Sequence, residues 1–189
     1  MTDVLVLLEK GDMFGPVLRS YGYNSQPIVP NAFGSQFCPP VKLLIVPAGF
    51  PRPNFYSFLR STLERNKDRI DNFVRNGGIV FSYGALMEEY TYDWLPVNVK
   101  YCSDPKKQSV KTINVDSPAA MIFEQGVQGC DGYLKEFDGE KIMASEDDKA
   151  VLVHKQLGDG HIIVSGMYDF PGKRFIDWAC SPDRKPVKI

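Results

Sequence analysis

The chain has 189 residues, enough to bury one well-filled core and short for two. Its 43% hydrophobic and 24% charged residues place it among folded globular chains and exclude the charge-rich disordered class. The 22 basic and 23 acidic residues leave a net charge of −1 and are scattered along the chain, so no field gathers a polyanion or an anionic bilayer. Neither nucleic acid nor a membrane is an expected partner.

No apolar run reaches the roughly 18 to 20 residues that span a bilayer. The VLVLL run near the N-terminus is too short and too acid-flanked for a signal peptide, so the expected location is cytoplasmic. Cys38, Cys102, Cys130 and Cys180 lie far apart, with no CxxC and only His154 and His161 to assist them. That pattern argues against a zinc site and for buried free thiols; no metal and no cofactor is expected.

In chain order, DVLVLLE (3–9) is a near-continuous aliphatic run, the mark of a strand buried on both faces of a parallel sheet. MFGPVLRSYGY supplies a short helix, SQPIVP a second strand, and VKLLIVP a third that leads into the turn PAGFPRPN (47–54). Phe55, Phe58, Leu59 and Leu63, then Ile70, Phe73 and Val74, recur at helical spacing. Asn54 reads as the cap and Gly77–Gly78 as the stop, with one long helix or two short ones between them. IVFSY is the next buried strand, and GALMEEY after it reads as the start of a helix.

From Tyr90 the texture changes to short alternating pieces: VNVKY, SVKTINV, GYLKEF, KIMAS, KAVLVHKQ and HIIVSGMY. The last two flank LGDG, a hairpin turn rather than a phosphate loop, because no helix follows it. RFIDWAC is a final helix. The expected fold is a single α/β domain of three layers over residues 1–180, with a largely parallel, flavodoxin-like sheet extended by antiparallel strands in the C-terminal half. Residues 181–189 read as a solvated tail.

In such sheets ligands bind beyond the carboxyl ends of the strands, which selects Glu9 and Lys10, Ala48 to Phe50, Ser82 to Ala85, and Tyr168 with Asp169. These junctions carry a resemblance. PAGF after a strand, a helix ending FVRNGG, SYGA after the next strand, and a GDG hairpin leading into IIVSGMYDFP together resemble the class I glutamine amidotransferase-like superfamily. The nearest pattern is that of its trehalose-utilisation type and of the proteins related to biotin-protein ligase.

The resemblance implies an oxyanion hole at the amides of Ala48 and Gly49, a cysteine at the strand-to-helix elbow, and a histidine after a late strand. Here the elbow reads SYGAL, putting Tyr83 or Gly84 in the nucleophile's place, and GMYDFP puts Tyr168 or Asp169 where the histidine belongs. A phenol with its usual pKa near 10 is a poor acyl acceptor. Ser82 should point to the opposite face from Tyr83 and has no histidine beside it.

Glu9 stands near a glutamate found in members related to the intracellular-protease branch. With Tyr83 and Asp169 it forms a candidate acid–base set, weighed against a plain bond to Lys10 or to a backbone amide. Cys38, in a loop, is a minor candidate nucleophile. Glu88 and Glu89 read as charges at a helix start, and the histidines as surface residues at the opposite end of the sheet. Phe50, Phe55, Tyr83, Tyr90, Tyr92 and Trp94 are candidate walls for a small-ligand cleft.

The expectation is thus a non-catalytic amidotransferase-like domain binding a small polar ligand or a protein partner through Glu9, Ala48, Gly49, Phe50, Ser82, Tyr83, Gly84, Tyr168 and Asp169. Self-association is left open. The alternative is a hydrolase or lyase using Glu9, Tyr83 and Asp169. An open cleft with those three converging would favour the enzyme, and a cleft filled by Tyr83 and its aromatic neighbours would favour an interaction module.

Overall fold

The computed structural model describes residues 2–123 and 126–189. Four apolar segments become strands with every residue buried or nearly so: β1 (Val4–Leu7), β3 (Leu43–Val46), β4 (Ile79–Tyr83) and the later β10 (Gly160–Ser165). With β2 (Ser25–Ile28) they lie in the order β2-β1-β3-β4-β10, every neighbouring pair parallel. Continuous apolar runs suit this position because both faces of each strand are covered.

Alternation along β1 divides the interior in two. Leu5 and Leu7 face a core with Leu59, Leu63, Ile70, Phe73 and Val74, whereas Val4 and Val6 face one with Leu18, Phe175, Ile176 and Ala179. Helices α2 (Leu59–Arg65) and α3 (Lys67–Arg75) therefore supply one core, and α1 (Gly15–Ser20) and α4 (Lys173–Ala179) the other.

The helical periodicity over 59–75 becomes two helices, separated at Asn66, whose side-chain amide donates to the Thr62 carbonyl at 2.9 Å. Asn54 does not cap them. The first helix starts at Leu59, and Phe55 and Phe58 remain in the preceding turn, 47% and 62% exposed. The bond at this helix start comes from afar: Glu9 Oε1 accepts the Phe58 amide.

The expected helix after β4 is absent. Leu86 turns the chain with φ of +55°, and residues 89–91 form β5 (Glu89–Thr91) instead. The local pattern explains this, since Tyr90, Tyr92 and Trp94 are buried while Thr91 and Asp93 are exposed, a period of two rather than 3.6. Glu88 and Glu89 consequently meet no helix start; Glu89 instead pairs with Lys100 at 3.0 Å and Lys135 at 3.3 Å.

The C-terminal half extends the same sheet through antiparallel partners, β9 (Ala150–Leu157), β7 (Gly126–Phe137) and β6 (Val99–Thr112). VNVKY and SVKTINV fuse into the single long β6, which absorbs Pro105 at an irregularity between Ser103 and Lys106. Strand β8 (Glu140–Ser145) pairs with both β6 and β9, so β6, β7, β9 and β8 close into a four-strand ring. The tail is packed, not solvated: Val187 pairs with Val41, and Ile189 is buried in the core. Among the described residues no helix is long and apolar enough to cross a membrane.

Candidate functional site

The carboxyl ends of β1, β3, β4 and β10 bring most of the sequence-selected residues to one end of the sheet, and the space between them is occupied by the chain itself. Tyr83 ends β4 buried against Phe81 and Phe14, with ring centroids 4.6 and 5.9 Å away. Its hydroxyl donates to the backbone carbonyl of Asp169 at 2.8 Å. Burial, reinforced by the Asp169 charge, raises its pKa well above the ordinary phenol value, which keeps the hydroxyl protonated as a hydrogen-bond donor. Ser82 is also fully buried, and its hydroxyl donates to the Tyr83 carbonyl at 3.2 Å.

The glycine turn after β3 is engaged in the same way. The Gly49 amide donates to the Gly84 carbonyl at 2.9 Å, so it is not free to face an oxyanion. Gly49 has φ of +70°, and a Cβ there would sit 2.5 Å from the Phe55 ring and 3.1 Å from Leu86. Phe50 is buried among Tyr90, Tyr92 and Trp94, whose ring centroids lie 5.4 to 5.7 Å from its own. These aromatics pack against one another as core.

The three candidate acid–base groups have different partners. Glu9 holds the Phe58 amide, Tyr83 holds the Asp169 carbonyl, and the side chain of Asp169 belongs to an exposed residue. Among the described residues no hydrogen bond joins any two of their side chains. Beside them Tyr168 and Phe170 are 52% and 45% exposed. What remains of the cleft is a dimple of about 70 Å3 lined by Met13, Phe14, Ala48, Tyr83, Tyr168 and Phe170.

The residue that sequence reasoning missed is Asp131, on β7. It is 4% exposed, and its Oδ1 accepts from the Tyr101 hydroxyl at 2.9 Å, while the same hydroxyl lies 2.8 Å from the Asp131 carbonyl. Its Oδ2 is buried and has no partner among the described residues. Burial drives the carboxyl pKa up to about 7, against the lowering influence of the Tyr101 bond. The backbone of Asp131 is fixed to the end of β10 by its amide, which donates to the Gly166 carbonyl at 2.8 Å. Tyr92 closes the group, its hydroxyl donating to the Tyr83 carbonyl at 3.0 Å. The available signal was an acid in mid-strand, GCDGYL, where a solvated carboxylate gains nothing from strand geometry.

The histidines lie at the opposite, amino end of β10, as the hairpin suggested, but neither is a surface residue. His154 is buried and His161 half-buried, with His154 Nε2 and His161 Nδ1 3.0 Å apart and Ser117 Oγ 3.0 Å from His154 Nδ1. Burial lowers the pKa of both, that of His161 to about 4 with help from His154 and Arg184. All four cysteines are free and buried. Cys38 sits in the core with Phe33 and Val41, its thiol pKa raised by burial. Among the described residues no group of three or more His, Cys, Asp or Glu could hold a metal ion.

No family model and no curated protein matches the sequence. Solved structures share the fold at low identity. A Thermoplasma acidophilum protein described as part of a GMP synthase aligns over 95% of this chain and 92% of its own at 11% identity, with a TM-score of 0.62. A cytoplasmic protein from Salmonella typhimurium aligns over 97% of this chain and all of its own, at 16% identity and a TM-score of 0.58. The beta-galactosidase of Halorubrum lacusprofundi aligns over 97% of this chain at 15% identity and a TM-score of 0.56, but the match covers only 30% of that enzyme. The chain thus spans under a third of the beta-galactosidase it matches, and it has the mixed α/β fold seen in the GMP synthase component.

Proposed function

We propose that this chain is a non-catalytic amidotransferase-like domain that binds a protein partner across the carboxyl ends of its parallel strands. The order β2-β1-β3-β4-β10 reads as a flavodoxin-like sheet, which makes this end the natural binding face. The observation that carries the reading is the surface left there. The seat is filled by Tyr83 and Asp131, and around it Met13, Phe55, Phe58, Tyr168 and Phe170 are 45 to 62% exposed.

Large exposed apolar side chains gathered at one end of a domain fit a protein interface better than open water. A cleft of about 70 Å3 is too small for a sugar or nucleoside, for which pockets run to roughly 300 Å3 and more. The dispersal of Glu9, Tyr83 and Asp169 likewise removes the geometric support for acid–base catalysis. The match to a protein described as a GMP synthase subunit supports a fold that works beside other protein surfaces, and the match to a protein described as cytoplasmic supports a cytoplasmic location.

The test is affinity purification of the tagged chain from its own cells, run with wild type, a Phe58→Ser/Tyr168→Ser variant and a Val115→Ser control on another surface. A partner retained by wild type and control but lost from the rim variant supports the proposal. A partner held equally by all three removes it.

A further inference from the structure

Ser117, His154 and His161 form one hydrogen-bonded chain that the rim does not use. Ser117 Oγ lies 3.0 Å from His154 Nδ1, and His154 Nε2 lies 3.0 Å from His161 Nδ1. The chain joins three elements: Ser117 precedes the 3-10 turn Pro118–Met121, His154 is on β9 and His161 on β10. Ser117 and His154 are buried, and His161 is half-buried against the Trp178 ring, with centroids 4.9 Å apart.

One arrangement of protons gives each of these groups its partner. The Ala119 amide donates to Ser117 Oγ at 3.3 Å, which leaves the serine proton for His154 Nδ1 and the Nε2 proton of His154 for His161 Nδ1. An added proton breaks this order. Shared by the two rings, it turns His154 Nδ1 into a donor, and the Ser117 hydroxyl loses its acceptor in a buried place. A second added proton sets N–H against N–H across 3.0 Å. Among the described residues, Glu140, opposite His154 on β8, favours its cation, and Arg184 opposes a cation on His161. Helix α4 presents the uncharged Trp178 ring, and the turn presents the Ser117 hydroxyl.

The turn is closed by the Ala120 amide on the Ser117 carbonyl at 2.9 Å and the Ile122 amide on the Ala119 carbonyl at 3.1 Å. Its far end holds the Gly172 amide on the Ile122 carbonyl at 2.7 Å. A single short turn opens at lower cost than the strands of a buried sheet. We propose that the Ser117–His154 bond is an acid-released latch: protonating the histidine pair frees the Pro118–Met121 turn and its tie to Gly172 while the parallel sheet stays folded. Gly172 lies two residues beyond Phe170, so release also slackens one end of the rim. Only that last consequence rests on the partner-binding reading.

Amide hydrogen exchange of the full-length chain, corrected at each pH for the intrinsic rate, tests the latch. From pH 7.5 to pH 5 the opening of the Ala120, Ile122 and Gly172 amides should rise about thirtyfold, the factor for a His161 that titrates at about 4 when latched and near 6.5 when released. At pH 5 these amides should still exchange faster than those of Leu44 and Val80 in the sheet. His161→Gln should flatten the pH dependence, and Ser117→Ala should raise opening of the turn already at pH 7.5. The proposal is overturned by wild-type opening that does not change with pH, by the same rise in His161→Gln, or by turn amides that exchange no faster than Leu44. Wild-type protection of the turn in Ser117→Ala at pH 7.5 would overturn it too. Exchange is read on the isolated chain, so its outcome is independent of whether a partner binds the rim.

Discussion

The carboxyl of Asp131 occupies the space that a side chain on Gly84 would need: a Cβ at Gly84 would lie 2.4 Å from Asp131 Oδ1 and 2.9 Å from the Tyr101 ring. Gly84 is one of the two elbow positions, with Tyr83, at which the resemblance expects a nucleophile, and a long-range carboxyl from β7 lies against it.

A side chain at Gly84 should therefore be excluded by sterics and not by backbone strain, since Gly84 is absent from the positive-φ glycines. Gly84→Ala is expected to lower stability by about 1 to 3 kcal/mol. In an Asp131→Ala background, where the opposing carboxyl is gone, the same substitution should cost clearly less. Denaturant unfolding of the four proteins gives the coupling, and additive costs would show that the two residues do not compete for one space.

Asp131 also predicts a pH dependence. Its folded pKa, about 7, lies above the value near 3.9 of an unfolded aspartate, so its contribution is fully present below about pH 4 and is lost as pH rises through 7. The loss is on the order of 4 kcal/mol. Replacing it by Asn removes that slope, so the stability of Asp131→Asn relative to wild type should increase from pH 4 to pH 7 and then level off. A difference that stays flat with pH would show that the carboxyl is ionised throughout.

The paired histidines work in the opposite direction. Their folded pKa values lie below the ordinary imidazole value of about 6.5, that of His161 at about 4. Their contribution is intact above pH 6.5 and falls away as pH drops through the folded values, because a 3.0 Å contact between two ring nitrogens requires one of them to be an acceptor. Imidazole NMR should find His161 neutral at pH 6 and His154 titrating below the ordinary imidazole value. A ring titrating with an ordinary pKa would contradict the buried pair.

Glu9 supplies a long-range bond to the turn before α2, and its value should be that of a helix-end hydrogen bond. Glu9→Ala is expected to lose about 1 kcal/mol, and Glu9→Gln, which keeps an acceptor, less than half of that. Equal losses in the two variants would assign the effect to charge and not to the bond with the Phe58 amide.

The parallel half of the sheet is legible because its strands announce themselves locally. VLVL, LLIV and IVFSY are buried on both faces, and Gly77, with φ of +104°, marks the end of α3. The carboxyl-end rule also selects residues that the fold brings together, with Ala48, Tyr83 and Tyr168 meeting at one dimple. The segment after Tyr83 misleads because a glycine following a strand suggests a helix, while the alternation of Tyr90, Tyr92 and Trp94 is the stronger signal. Asp131 is out of reach for a different reason: its role depends on β7 crossing to the ends of β4 and β10, and local pattern carries no record of that contact. The His154–His161 pair is hidden similarly, since strand register and the arrival of Ser117 decide its burial.

If Tyr83 and Asp131 fill the place proposed for a nucleophile, the chain cannot hydrolyse glutamine, and an assay of glutamine hydrolysis by the purified chain at neutral pH tests this. A filled seat predicts no ammonia release above that of a protein-free blank, for wild type and for Asp131→Asn alike. Turnover by wild type that is lost on Asp131→Asn or Tyr83→Phe, with the fold intact, would contradict it.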